Sequence, residues 1–160
     1  MQIKEAYYIT PSGNKSLFLM SKGKKTTSNI TAIEYLEKRC IENGSTLEGR
    51  MDAFCSLLNV HQKPCVLISE ITEEMWMPTL GISNPECSWI CFNAILKVKG
   101  IDDQTTSILF EDGTTIEINC NRRVIIKQMN RCKEFLDCLH KDKDTYQESR
   151  KAMKTLKNRK

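Results

Sequence analysis

A chain of 160 residues, 40% hydrophobic and 28% charged, is long enough for one domain with a real core and has the composition of an ordinary soluble globular protein. No run of 18 apolar residues is present, which excludes a membrane-spanning helix, and the opening Met1-Gln2-Ile3-Lys4-Glu5 lacks the layout of an export signal, so the cytoplasm is the expected location. The net charge of +4 is concentrated at one end: residues 145–160 hold six cations against Glu148 alone, and the rest of the chain is close to neutral.

Residues 3–10 read as a strand, since Tyr7, Tyr8 and Ile9 favour a pleated surface. Pro11-Ser12-Gly13-Asn14 is a turn, residues 16–21 are its hairpin partner, Lys22-Gly23-Lys24-Lys25 is another turn, and a third short strand is expected over 26–30. Residues 31–42 predict a helix. Ile33, Leu36, Glu37 and Cys40 fall at helical spacing, Thr31 and Glu34 form a capping box, and Gly44 can stop it. A second short helix is expected after Gly49, with Met51, Phe54, Cys55 and Leu58 on one face, although the same stretch also permits a strand.

Beyond this point the pattern is β. Residues 65–69 and 75–77 read as a hairpin around Thr72-Glu73-Glu74, and 87–99 as one long strand. Residues 105–110 and 114–119 flank Asp112-Gly113, a strong hairpin signal because both turn positions tolerate positive φ. Over residues 122–140 a helix is predicted, with Ile125, Met129, Cys132, Leu136 and Leu139 as its apolar stripe, Asn121 as N-cap, and Arg123, Lys127, Asn130, Glu134 and Asp137 opposite. Residues 144–156 are helix-prone with a thin stripe of Tyr146, Met153 and Leu156. The expected class is α+β: an antiparallel β-meander packed by helices, with a long C-terminal helix and a basic tail. One domain is expected over 1–144, and a helical or disordered basic tail over 145–160.

Eight cysteines without an export signal read as reduced thiols. The nearest pairs are Cys87/Cys91 and Cys132/Cys138, and no C-x-x-C occurs, so neither a metal nor a cofactor is expected. His61 and His140 sit in no nucleophile pattern, which argues against an enzyme. Local basic clusters stand at Lys22/Lys24/Lys25, at Lys38/Arg39 and at Arg122/Arg123/Lys127/Arg131. The last opens a helix, where cations oppose the dipole and a phosphate partner would be favourable.

The most informative stretch is Pro78-Thr79-Leu80, Pro85, then Cys87-Ser88-Trp89-Ile90. Its prolines fix a pre-shaped link, and period two puts Cys87 and Trp89 on one strand face, with Trp89 read as core. The string P-T-L-x4-P-x-C-x-W-I resembles the signature of the bacterial competence transcription factor family (ComK). Cys40, Gly44-Ser45 and Gly49-Arg50 resemble that family's C-x-x-x-G-S-x-x-x-G-R step; His61-x-Lys63-Pro64 and the run 65–68 follow; and Phe110, Gly113 and Thr115 resemble its F-x-N-G-K-T hairpin, with Asp112 in place of Asn. Asn84 stands where well-known members carry a basic residue, and Cys91-Phe92-Asn93 where they carry a histidine-rich stretch.

The resemblance implies an activator of DNA-uptake genes that binds A/T-rich promoter boxes, mainly through the minor groove, as a homo-oligomer associated with the nucleoid. It implies RNA polymerase as a further partner. In long members it also implies an adaptor and protease system reached through an aromatic, proline-containing tail, which residues 145–160 do not resemble. Gly49 lets the backbone approach a partner closely and Arg50 can enter a narrow, electronegative groove. Arg122, Arg123, Lys127 and Arg131 are the expected phosphate contacts. The alternative expectation is a shortened paralogue that modulates other proteins without specific DNA binding. A third is a redox- or zinc-responsive regulator.

Overall fold

The computed structural model describes residues 6–157, with the side chains of 142–146 and 157 outside that description. The expected strand over residues 3–10 is found as β1 (Ala6–Ser12); its first three expected residues lie outside the described ones. Then come β2 (Lys15–Met20), β3 (Lys25–Ser28), α1 (Ala32–Glu42) and α2 (Leu47–Leu58). The second half holds β4 (Val66–Ser69), β5 (Glu74–Pro78), β6 (Trp89–Cys91), β7 (Ile95–Gly100), β8 (Thr106–Phe110), β9 (Thr115–Ile118) and α3 (Arg122–Lys157). The class is α+β with antiparallel strands.

There are two sheets. A six-stranded sheet runs in the order β3-β2-β1-β6-β5-β4, and a three-stranded meander in the order β7-β8-β9. The expected single strand over 87–99 is therefore corrected to two, one in each sheet. A short 3-10 turn at Phe92–Ala94 separates them. Its cause is Asn93, whose Oδ1 accepts from the Met75 backbone N–H at 3.2 Å and from the Cys91 thiol at 3.1 Å. The side chain replaces a ladder partner, so the strand stops there.

The turn chemistry read from the sequence is present. Thr31 Oγ1 accepts from the Glu34 N–H at 3.1 Å and caps α1. Gly44 follows α1 at φ +79°, a conformation open to glycine. Gly113 holds φ +91° in the β8–β9 turn, where Thr114 N–H bonds Asp112 Oδ1 at 3.0 Å. The other oxygen of Asp112 accepts from the Lys22 backbone N–H, so the turns of the two sheets are tied together.

Trp76, Trp89, Phe18, Phe54 and Phe110 are fully buried. Tyr7 stacks on Phe110 at 4.9 Å and joins the two sheets; Phe54 meets Phe135 at 5.2 Å and joins α2 to α3. The buried line of α3 is Ile125, Gln128, Cys132 and Phe135, with Met129, Leu136 and Leu139 only part-buried. The stripe is thus turned by about one position from the expected one, because a buried glutamine is invisible to an apolar count. Instead of a helix to 140 and a separate tail, α3 continues unbroken for 36 residues.

Candidate nucleic-acid interface

The motif from Cys40 to Arg50 is a corner between two helices. Ser45 turns back on α1, its N–H and its hydroxyl both reaching the Cys40 carbonyl, at 2.9 and 3.2 Å. Thr46 caps α2 by accepting from the Gly49 N–H at 3.0 Å, so α2 begins at Leu47 and Gly49 lies inside it, not before it. A Cβ on Gly49 would stand 3.0 Å from that capping hydroxyl. Arg50 closes the corner: its Nε donates to Ser45 Oγ at 3.0 Å, and its Nη1 lies 3.6 Å from Glu70 Oε1. With only 19% of its side chain exposed, Arg50 points inward to its own fold.

The 78–90 signature is a clasped hairpin loop. Thr79 N–H and Thr79 Oγ1 both reach the Ser88 carbonyl, at 2.9 and 3.1 Å, and Ser88 N–H returns to Thr79 Oγ1 at 3.1 Å. Pro78 pairs with Trp89 across the ladder, and the Cys87 thiol reaches the Leu80 carbonyl at 3.4 Å. Ile90 is fully buried. Pro85 sits in the exposed tip, residues 81–86, which carries Glu86 and no cation.

The four expected phosphate contacts separate into two groups. Arg131 lies 5.2 Å over the Phe54 ring and donates to the carbonyls of Lys63 (3.3 Å) and Gln62 (2.9 Å) and to Gln128 Oε1 (2.6 Å). Arg122, Arg123 and Lys127 are exposed, and among the described residues none has a carboxylate partner. Asn121 caps α3 by accepting from the Arg123 N–H at 2.7 Å, and its own amide holds the Asp103 carbonyl at 2.6 Å.

All eight cysteines are free thiols. Burial pushes Cys91 up to about 12 and raises Cys40, Cys87, Cys120 and Cys132, so these are poor thiolates at neutral pH. Among the described residues no group of three His, Cys, Asp or Glu could hold a metal ion. His140 pairs on the surface with Glu73 at 2.7 Å. No helix among them is long and apolar enough to cross a membrane.

A sequence profile described as "ComK protein" matches residues 5–144. The chain belongs to the ComK family. It is 23% identical over 90 residues to the competence transcription factor of Bacillus subtilis (strain 168), which is 56% of this chain and 47% of that protein. The match thus spans about half the length of that relative. No solved structure matches the chain.

Within this ComK-family fold, sequence reasoning missed two kinds of residue. Gln128 is buried and donates its amide to the carbonyls of Lys63 (3.1 Å) and Pro78 (2.9 Å), binding α3 to two signature segments. Nothing in a hydrophobic pattern marks it. Lys97 and Lys99 are exposed on β7, and the signal that could have found them was present: two lysines at period two.

Proposed function

We propose that this chain is a DNA-binding transcription factor of genetic competence that recognises A/T-rich promoter boxes. Membership of the ComK family over residues 5–144 carries this reading. It is supported by the exposed trio Arg122, Arg123 and Lys127, which has no carboxylate partner among the described residues and whose two arginines oppose the dipole of their own helix. Such a cluster is favourable beside phosphate and costly alone. In the proposed division, residues 1–144 bind DNA and the basic arm over 145–160 adds non-specific attraction. Arg159 and Lys160 of that arm lie outside the described residues.

A minor-groove reader discriminates A·T from G·C and little else by hydrogen bonding, so groove width and bendability would supply the rest of the specificity. Paired boxes on one face of the duplex call for a homo-oligomer whose spacing follows the helical repeat. Activation further calls for contact with RNA polymerase.

The test is a gel-shift titration at two salt concentrations, on a duplex carrying two A/T boxes one or two turns apart and on a G·C-substituted control. Preference for the A/T duplex that survives the higher salt supports the reading. Equal, salt-labile binding to both duplexes would leave only the basic arm touching DNA. The near-neutral body would then favour the second reading, a module that modulates other proteins.

A further inference from the structure

We propose that the open edge strand β7, with Arg122 beside its end, is the element that lies against the duplex; this rests on the DNA-binding reading above. In the three-stranded sheet β7 is an outer strand, paired on one side only, to β8. Lys97 pairs with Leu109 and Lys99 with Ser107, so both lysines share the outer face of the sheet. At the end of β7, Arg122 Cδ comes within 3.4 Å of the position a Cβ on Gly100 would take. Gly100 pairs with buried Thr106, so Arg122 flanks the strand from the opposite face to the lysines. The edge therefore has cations on both sides, and Arg123 and Lys127, four residues apart, share an exposed face of α3. Among the described residues these five cations have no carboxylate partner.

Among the described residues none of the nearby acids forms an ion pair with them. Asp102 turns its carboxylate to the Gln104 N–H of its own loop at 2.8 Å, and Glu117 lies on β9, two strands from Lys99. Asp103 is the one exposed carboxylate near the start of α3 with no donor of its own among the described residues.

Two exposed apolar side chains complete the edge: Leu96 at 66% and Ile101 at 49%. Lysine on a free edge strand is a common defence against pairing with another chain. That defence needs no exposed leucine and isoleucine beside the lysines, nor an arginine on the other side. Cations with protruding apolar side chains are what a minor-groove reader uses: charge follows the two phosphate rows and an apolar wedge opens a base step. The occupant is A/T-rich duplex DNA, with β7 along the groove.

The experiment compares the full chain with a Lys97→Ala/Lys99→Ala double variant and a Lys24→Ala/Lys25→Ala double variant, which removes the same charge from the turn and first residue of β3 in the other sheet. Binding to the A/T duplex is measured against salt, and a urea melt confirms the fold of each. The β7 variant is expected to lose about 1.8 from the slope of log affinity against log salt, two phosphates at roughly 0.9 each, while the control keeps the parent slope. Leu96→Ala is expected to keep the slope and reduce the DNA bend seen by circular-permutation gel shift. Equal losses in both lysine variants, or none in the β7 variant, overturn the location while leaving DNA binding intact. An unchanged bend in Leu96→Ala overturns the wedge. No binding by the unaltered chain overturns the reading itself, and this inference with it.

Discussion

The α1–α2 corner and the β7–α3 edge both carry conspicuous cations, yet they treat them in opposite ways. At the corner, Arg50 is held by Ser45 and Glu70, and nearby Arg39 by Glu42 and Glu74. At the edge, Lys97, Lys99, Arg122, Arg123 and Lys127 are exposed, and among the described residues none has a carboxylate partner. A family motif can therefore mark what the fold needs, while the proposed contact surface lies where charge has no partner. Position in a motif does not distinguish the two; the partners of each guanidinium do.

Arginine truncations sharpen this contrast, and the largest effect on stability is expected at Arg39. Its Nη2 pairs with the half-buried Glu74 carboxylate, which also accepts from Trp76 Nε1 at 2.9 Å. Arg39→Ala strands that carboxylate and should cost about 3 kcal/mol in a urea melt, with the salt slope of DNA binding unchanged. Arg131→Ala removes donors from two backbone carbonyls and a cation from the Phe54 ring, and should cost about 2 kcal/mol by the same measurement. Arg50→Ala breaks one hydrogen bond and a longer ion pair to half-exposed Glu70, so about 1 kcal/mol is expected. If Arg50→Ala instead keeps full stability and loses A/T binding, the corner is a contact surface and the contrast fails. At the edge, Arg122→Ala and Arg123→Ala should each stay within about 0.5 kcal/mol of the parent. Each should lower the salt slope by about 0.9.

A smaller effect concerns the tie between the sheets. The Lys22 and Thr114 backbone N–H groups hold the Asp112 carboxyl at about 2, below its usual 3.8. A depressed carboxyl stabilises the fold fully above its ordinary value and loses that contribution as pH falls through its folded value. The parent should therefore melt above Asp112→Asn near neutral pH, and the gap should close between about pH 4 and pH 2. A gap independent of pH would mean that the carboxylate charge plays no part in the tie.

Local rules made much of the fold legible. The Thr31 cap, the Asp112-Gly113 turn, the Asn121 cap and the burial of Trp89 each rest on residues close in sequence, and each is present. What could not be read depends on distant partners. The break between β6 and β7 hides in an apolar run because Asn93 acts on Met75, 18 residues earlier in sequence. Arg50 looked available because Glu70 is 20 residues away, and Arg131 because Gln62 and Lys63 are nearly 70 away. Lys97 and Lys99 differ: the period-two pair is visible in the sequence, but its place on an open edge strand comes only from the fold.

The unbroken α3 has a consequence for how the molecule opens. At 1.5 Å per residue the helix is about 54 Å long. Its last fully buried side chains are Cys132 and Phe135, and those described from 147 to 156 are all exposed. The two halves therefore belong to different cooperative units. Amides around Cys132 are expected to exchange with solvent only when the whole fold opens, whereas those of residues 147–156 are expected to be protected by little more than the helix itself. A bound anion on the outer half would slow exchange there and leave the core untouched, so the helix carries its own record of whether the arm is occupied.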